Sequence, residues 1–335
     1  MENTNIKSDQ DPVIKAPASL LPVNSPAADA QRLELLRSDT VLIIYNPVSG
    51  MWQNKNNLFD LIESVSASGK AAIVRMTQAH GDATAIARRY APYVSSVIAC
   101  GGDGTLQEAI QGLHESGCHI PIGYIPIGTT NDFAATHSIP FDFHAAAMTA
   151  LHGTPRALDI GQINGDRIFS YIACFGVFTK TPYTTDQAMK NMFGYLAYIL
   201  QGASELADIG NPTHMTVVTE AFTMSDDFIF GGVVNSYTVA HFFKLPESSV
   251  DLADGEFEVL LVRQPQNLFE AHMIAQALLN CDYTNKNIEF FHASDIRFIS
   301  EEPVKWCSDG EYSGEFREVT INNLHHAIQL QMEEN

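Results

Sequence analysis

Val94-Ser95-Ser96-Val97-Ile98-Ala99-Cys100-Gly101-Gly102-Asp103-Gly104-Thr105 decides how this chain folds. Its first seven residues are an apolar run broken only by Ser95 and Ser96, the pattern of a buried strand. Leu106, Ala109, Ile110 and Leu113 follow at helical spacing. The stretch therefore reads as strand, glycine loop and helix start. Backbone N–H groups in such a loop can approach a phosphate closely, and a helix N-terminus favours negative charge. Asp103 inside the loop would repel a bare phosphate, which makes sense if a divalent metal lies between them. The loop points to phosphoryl transfer more than to simple anion binding.

The same alternation extends outward. Strands are expected at 41–45, 71–76, 97–100 and 122–127. Helices are expected around Leu58, Leu61, Ile62 and Val65, over 83–90 and over 106–114. Strand and helix in turn imply a parallel sheet covered on both faces, a three-layer α/β unit. The turns at Asn46–Gly50, Gly101–Thr105 and Gly128–Thr130 all follow strands, so they fall at the carboxyl edge where ligands bind open α/β sheets. Beyond Gly153 the character changes. Segments 157–163 and 167–173 read as a hairpin around Asn164-Gly165. One helix is expected over 186–206, among short strands at 215–219, 228–234, 237–242, 257–262, 288–291 and 295–300. Such a run suggests a β-sandwich. The expected organisation is a disordered tail (1–38) with a short helix near 28–36, an α/β domain (39–153), a β-sandwich domain (154–318) and a C-terminal segment (319–335).

The 335 residues carry 39 acidic and 19 basic side chains, a net charge of −20 with His neutral. That balance argues against nucleic acid, whose phosphates need clustered Lys and Arg, and weakens electrostatic docking on anionic lipid. The five cysteines form no CxxC pair, and the first residues hold no apolar stretch of signal-peptide type, so a reducing cytoplasm is expected. The histidines show no HExxH spacing. The apolar stretch 193–200 is far too short to span a bilayer.

Three loops occur in order: Asn46-Pro47-Val48-Ser49-Gly50, Gly101-Gly102-Asp103-Gly104-Thr105-Leu106-Gln107-Glu108, and Pro126-Ile127-Gly128-Thr129-Thr130-Asn131-Asp132-Phe133-Ala134. With Lys190-Asn191-Met192-Phe193-Gly194-Tyr195, Asp254-Gly255 and Asp309-Gly310-Glu311, they make the chain resemble the diacylglycerol kinase catalytic domain family, in its bacterial soluble branch, over roughly residues 40–330. Members transfer the γ-phosphate of ATP to a lipid hydroxyl. The resemblance implies an α/β nucleotide domain, a β-sandwich domain, ATP in the cleft between them, and a C-terminal segment that returns to the first domain. It also implies a cytoplasmic protein that meets its lipid at the inner face of the membrane; a homodimer is left open.

The same resemblance implies site roles. Gly101, Gly102 and Gly104 would wrap the phosphates, and Asp103 would orient the metal-bound phosphate, unless it caps its own helix. Asn46, Pro47, Val48, Ser49, Gly50, Thr77, Thr105, Leu106, Gln107 and Thr129 complete the nucleotide set. Glu108 would either hydrogen-bond the nucleotide or balance its helix dipole. Asn131 and Asp132 are read as caps and braces. Glu311 would be the general base, with Asp309 as the alternative. Mg²⁺ would be held by the Asp254 side chain and the carbonyls of Asp251 and Glu256, although Ala253 stands where many relatives have another acid. The helix at 189–206 is read as core, with acyl-chain contact as the alternative. Diacylglycerol, phosphatidylglycerol, a glycolipid or a sphingoid base would each offer the hydroxyl. A small-molecule kinase shares the GGDG loop, but this chain lacks the Asn-Glu dipeptide of NAD kinases. A non-catalytic nucleotide or lipid sensor is disfavoured because Asp103, Thr129 and Glu311 are all present.

Overall fold

The computed structural model describes residues 39–49, 56–129, 131–176, 211–239, 243–245 and 250–333. The helices expected over 28–36 and 186–206, the motif at 190–195, His241, Gly50 and Thr130 lie outside the described residues. The first half runs β1 (Thr40–Tyr45), α1 (Asn56–Ala67), β2 (Ala71–Met76), α2 (Asp82–Tyr90), β3 (Ser96–Gly101), α3 (Asp103–Ser116), β4 (Pro121–Pro126), α4 (Asp132–Thr136) and α5 (Phe143–His152). β1 pairs in parallel with both β2 and β3, and β3 pairs in parallel with β4.

The alternation of side chains along β1 explains the layering. Leu42 and Ile44 face a core shared with Ala83 and Ala87 of α2 and Leu106, Ala109 and Ile110 of α3. Val41 and Ile43 face the other way, toward Leu61 and Val65 of α1 and Ala146 and Ala150 of α5. Both faces are covered, so β1 is apolar throughout and buried at every position. Each such side chain taken fully out of water contributes about 1.5–3 kcal/mol before entropy is counted.

The second half runs β5 (Thr154–Ile163), β6 (Arg167–Phe169), β7 (Ile172–Gly176), β8 (Thr213–Val218), β9 (Thr223–Val234), β10 (Thr238–Val239), β11 (Phe243–Lys244), β12 (Phe257–Arg263), α6 (Leu268–Leu279), β13 (Ile288–Ala293), β14 (Asp295–Ser308) and β15 (Glu311–Met332). β5 and β6 form the expected hairpin, with Asn164 at φ 52° and Gly165 at φ 79° in its turn. All the described strands except the pair β10 and β11 join one hydrogen-bonded sheet with the order β13-β12-β9-β7-β14-β15-β4-β3-β1-β2, to which β5, β6 and β8 attach at its side. β15 makes the junction: it pairs antiparallel with β14 and β5, and Gln329 and Leu330 pair in parallel with Pro121 and Ile122 of β4. Phe169 lies on β6, which reaches β15 only through β5, and Phe257 lies on β12 near the other end of the path; their ring centroids are nonetheless 5.6 Å apart, so the antiparallel part closes over a core. Trp306, Phe175 and Phe298 fill its centre.

Several expectations need correction. The strand expected over 167–173 is two strands, because the backbone N–H groups of Ser170, Tyr171 and Ile172 turn to the Asp309 carboxylate. The strand expected over 237–242 begins as β10, a two-residue strand paired with β11. Helix α6 was not expected. Its start is nonetheless written in the sequence: Asn267 accepts the Glu270 N–H at 2.9 Å and Glu270 reaches back to the Gln266 N–H at 2.9 Å, close to a capping box.

The contact of α5 with β4 depends on Gly123, where an added Cβ would stand 2.5 Å from the Cβ of Ala150 and 2.7 Å from its Cα. Gly123→Ala should cost about 1–3 kcal/mol by overpacking, read as a lower urea midpoint; an unchanged midpoint would contradict this packing.

Candidate active site

The glycine loop is shorter than expected. β3 continues to Gly101, Gly102 is the N-cap, and α3 starts at Asp103. Gly101 is therefore a strand residue, and it lacks a side chain because a Cβ there would overlap Thr105. Gly102 lies against Gly128, where a Cβ would stand 2.5 Å from the Gly102 Cα. Asn131, at φ 53°, secures that approach: its Oδ1 accepts the Gly128 N–H at 3.0 Å and the Tyr124 hydroxyl at 3.1 Å. It does not cap α4 with its side chain. Asp103 does so from the neighbouring helix. Its Oδ2 accepts from the Asp132 N–H at 2.9 Å and its Oδ1 from the Phe133 N–H at 3.1 Å. Asn46 ties the first loop to the second, donating from Nδ2 to the Thr105 Oγ1 at 3.0 Å, and accepts the Val48 N–H at 3.1 Å within its own loop.

Below these strand ends lies a cavity of about 560 Å³, within the range of ligand pockets. Asn46, Ser49, Thr77, Gly102, Thr105 and Glu311 are among its walls, with Pro47 and Val48 at its rim. A second cavity of about 350 Å³ shares Gly104, Glu108 and Glu311 with the first. Glu311 thus stands where both open. A Cβ on Gly104 would be 3.4 Å from the Glu311 Oε1, so α3 begins against that carboxylate.

The two acids of the β14–β15 turn point differently. Asp309 (φ 47°) and Gly310 (φ 80°) reverse the chain, and Glu311 emerges toward the cavities. Asp309 is buried, and its carboxylate accepts from Ser170 N at 2.6 Å, Tyr171 N at 3.0 Å and Ile172 N at 3.1 Å. Burial pushes its pKa up to about 7 against the pull of those donors, with the Asp103 charge adding to the rise. Asp309 borders the smaller cavity, but these bonds engage its oxygens in holding the start of β7, which weighs against the role of alternative base expected for it.

Other residues of the expected nucleotide set also make bracing contacts, including Gln107 and Glu108, which line the cavities. Glu108 accepts from the N–H groups of Gly81 at 2.8 Å and Ala83 at 3.0 Å, and pairs with His80 at 2.9 Å. It caps α2, whose own N-cap is a glycine, rather than balancing its own helix. Gln107 donates to the Ile168 carbonyl at 2.8 Å, tying α3 to β6. Leu106 is wholly buried in the core. Thr77 lines the larger cavity, whereas exposed Thr129 is not among the walls of either.

The acidic loop at Asp251–Glu256 lines neither cavity. Asp251 accepts the Ala253 N–H at 3.1 Å and Asp254 accepts the Glu256 N–H at 2.9 Å. Gly255 donates to Asp159 at 2.7 Å. Behind the loop, Glu258 is buried with Oε2 lacking a hydrogen-bond partner. Burial raises its pKa to about 8, and the Asp254, Asp251 and Glu256 charges push the same way. This oxygen-rich set with an orphaned buried carboxyl oxygen fits a hard divalent cation. Sequence reasoning missed Asp159, although a lone acid between Leu158 and Ile160 in an apolar strand is a legible signal.

Glycine loops at strand ends facing a carboxylate from a second group of strands are the arrangement of a phosphotransferase. Residues 40–163 match the diacylglycerol kinase catalytic domain family. A diacylglycerol kinase of Bacillus subtilis (strain 168) is 33% identical over 288 residues, covering 85% of this chain and 93% of the relative. A diacylglycerol kinase of Staphylococcus aureus (strain bovine RF122 / ET3-1) is 31% identical, covering 85% and 90%. The crystal structure of a diacylglycerol kinase from Bacillus anthracis str. Sterne superposes with a TM-score of 0.68 at 21% identity, covering 88% of this chain and 97% of that one. The chain belongs to the diacylglycerol kinase family. Among the described residues no helix is long and apolar enough to cross a membrane.

One buried base makes the site's frame sensitive to acid. His137, the C-cap of α4, packs its ring 4.2 Å from that of Phe133, and burial lowers its pKa from 6.5 to about 3. Unfolding releases the ring to water, where it binds a proton below pH 6.5. Stability is therefore full above that pH and falls by about 1.4 kcal/mol per unit as pH drops toward 3. His137→Phe should flatten this limb in urea melts at pH 7 and pH 4.5; parallel pH profiles for both proteins would refute it.

Proposed function

We propose that this chain transfers the γ-phosphate of ATP to the hydroxyl of a lipid presented at a membrane surface, with diacylglycerol as the acceptor and Mg²⁺ as the metal. The observation that carries the reading is Glu311. Its carboxylate stands beside Gly104 at the start of α3, where the two cavities meet. The backbone of Gly102 and Gly104 and the positive end of α3 receive the phosphates. Glu311 orients the acceptor hydroxyl and takes its proton as the new bond forms. A bound metal would supply charge to neutralise the phosphates, with Asp103 orienting the metal-bound phosphate, and Asp254 with the Asp251 and Glu256 carbonyls would hold an ion at the acidic loop. Diacylglycerol rests on the names of the relatives rather than on any residue of the site.

The sheet pairings support a division into an α/β nucleotide domain over 39–153 and a β-sandwich over 154–318. Pairing of β15 with β4 supports a return of residues 319–335 to the first.

Glu311→Gln should lower kcat by about 10²–10⁴-fold, the range of a lost general base, with an unchanged melting temperature. Asp309→Asn should instead lower the melting temperature. Asp103→Ala is a poorer test, since it removes the cap of α4 as well. Transfer from labelled ATP should be seen with diacylglycerol and stop in chelator; transfer only to another lipid would replace the acceptor, and transfer only to NAD or a sugar phosphate would end the lipid reading.

A further inference from the structure

One arginine of the smaller cavity has no counter-charge. Arg167 opens β6, and among the described residues that line the two cavities it is the single arginine or lysine. The chain carries 39 acids against 19 bases, and Arg88, Arg263, Arg297 and Arg317 each reach a glutamate. Arg167 forms no ion pair among the described residues; its Nη1 donates to the Tyr312 carbonyl at 2.9 Å. Tyr312 directly follows Glu311, so the guanidinium stands beside the strand that carries the candidate base. The acids nearby are mostly engaged elsewhere. Glu108 and Asp309 accept from backbone N–H groups, and Glu115 accepts from Arg88 and Gln111.

The backbone on either side of Arg167 is clamped to α3, the helix that begins at the glycine loop. Gln111 donates to the Asp166 carbonyl at 3.0 Å and accepts the Ile168 N–H at 2.9 Å, and Gln107 donates to the Ile168 carbonyl at 2.8 Å. From the other side, Asn164 of the hairpin turn bonds Thr320 of β15 twice, at 2.8 and 2.9 Å. Such support suits a side chain that must meet a reacting group with little slack.

We propose that Arg167 is a further catalytic residue, which binds the phosphoryl group from the acceptor side as it moves. This rests on the reading of the larger cavity as the nucleotide's and of Glu311 as the base. The phosphorus–oxygen bond to ADP breaks while one to the lipid oxygen forms, and Glu311 takes the hydroxyl proton. Negative charge stays spread over the equatorial phosphoryl oxygens throughout. Gly104 and Glu311 mark where the transfer takes place, because both cavities touch them. Arg167 borders only the smaller cavity, so it meets those oxygens from outside the nucleotide's space. One N–H of its fork is spent on Tyr312, which aims the rest, and a planar fork matches two phosphate oxygens as a lysine does not.

The test uses the full-length protein with Mg²⁺. ADP with aluminium fluoride, a stand-in for the phosphoryl group in flight, needs no lipid. Aluminium fluoride should tighten ADP binding by the wild-type protein, and Arg167→Gln should lose about 10–100-fold of that tightening while binding ADP alone normally. In turnover, Arg167→Gln should lower kcat by about 10²–10³-fold with the KM for ATP unchanged, and Arg167→Lys should recover only part of the loss. Arg156 of β5 also forms no ion pair among the described residues but lines neither cavity, so Arg156→Gln should match the wild type in both measurements. Tightening that is absent in the wild type or equal in Arg167→Gln, or a loss that falls equally on ADP alone, would overturn the proposal. Transfer to no lipid by the wild type would instead end the lipid reading, and the fluoride measurement would still decide the part of Arg167.

Discussion

The bond pair from the Asp103 carboxylate to the N–H groups of Asp132 and Phe133 is the interaction on which the site's shape depends. It closes the loop after β4 onto the loop after β3, alongside the Asn131 bonds that hold Gly128 against Gly102. An aspartate suits this position because one short side chain satisfies two orphan donors at a helix start while itself heading another helix. The arrangement concentrates charge. Asp309 feels the field of Asp103, and the buried Tyr171 hydroxyl, held well above its usual pKa by desolvation and then by Asp309, Asp103 and Asp132, has no hydrogen-bond partner there. Support of the loops and an electrostatic demand for a cation come from the same residues.

Asp309 and Glu311 show how two acids of one turn acquire separate work. The left-handed pair Asp309-Gly310 rotates the chain so that one carboxylate enters the protein and the other faces the cavities. The inward acid meets three N–H groups that a broken strand leaves over, and the outward acid is left to the solvent and whatever fills the site. A rigid inner clamp beneath a freely placed carboxylate suits a group that must meet a mobile acceptor.

Much of this was legible in the sequence. β1 and β3 are continuous apolar runs because both faces are covered, and Asn164-Gly165 announces its own turn. Local signals of that kind survive in a linear reading. Glu108 shows where they stop: its partners, Gly81 and Ala83, precede it by 27 and 25 residues, and only tertiary packing brings them together. The interruption between β6 and β7 was likewise hidden, since its cause is Asp309, well over a hundred residues away.

The course of β15 has a consequence for how the protein is made. Its first residue carries the carboxylate at the cavities, and its far end supplies the neighbour of β4. A ribosome delivers the chain from the N-terminus, and early segments generally fold as they emerge. The parallel strands can assemble first, yet β4 keeps an open edge until Gln329 and Leu330 arrive. Glu311 comes out less than twenty residues before them. Glu311 and the strand that seals the sheet edge thus emerge within about twenty residues of each other, and a nascent chain holds its glycine loops long before it holds Glu311.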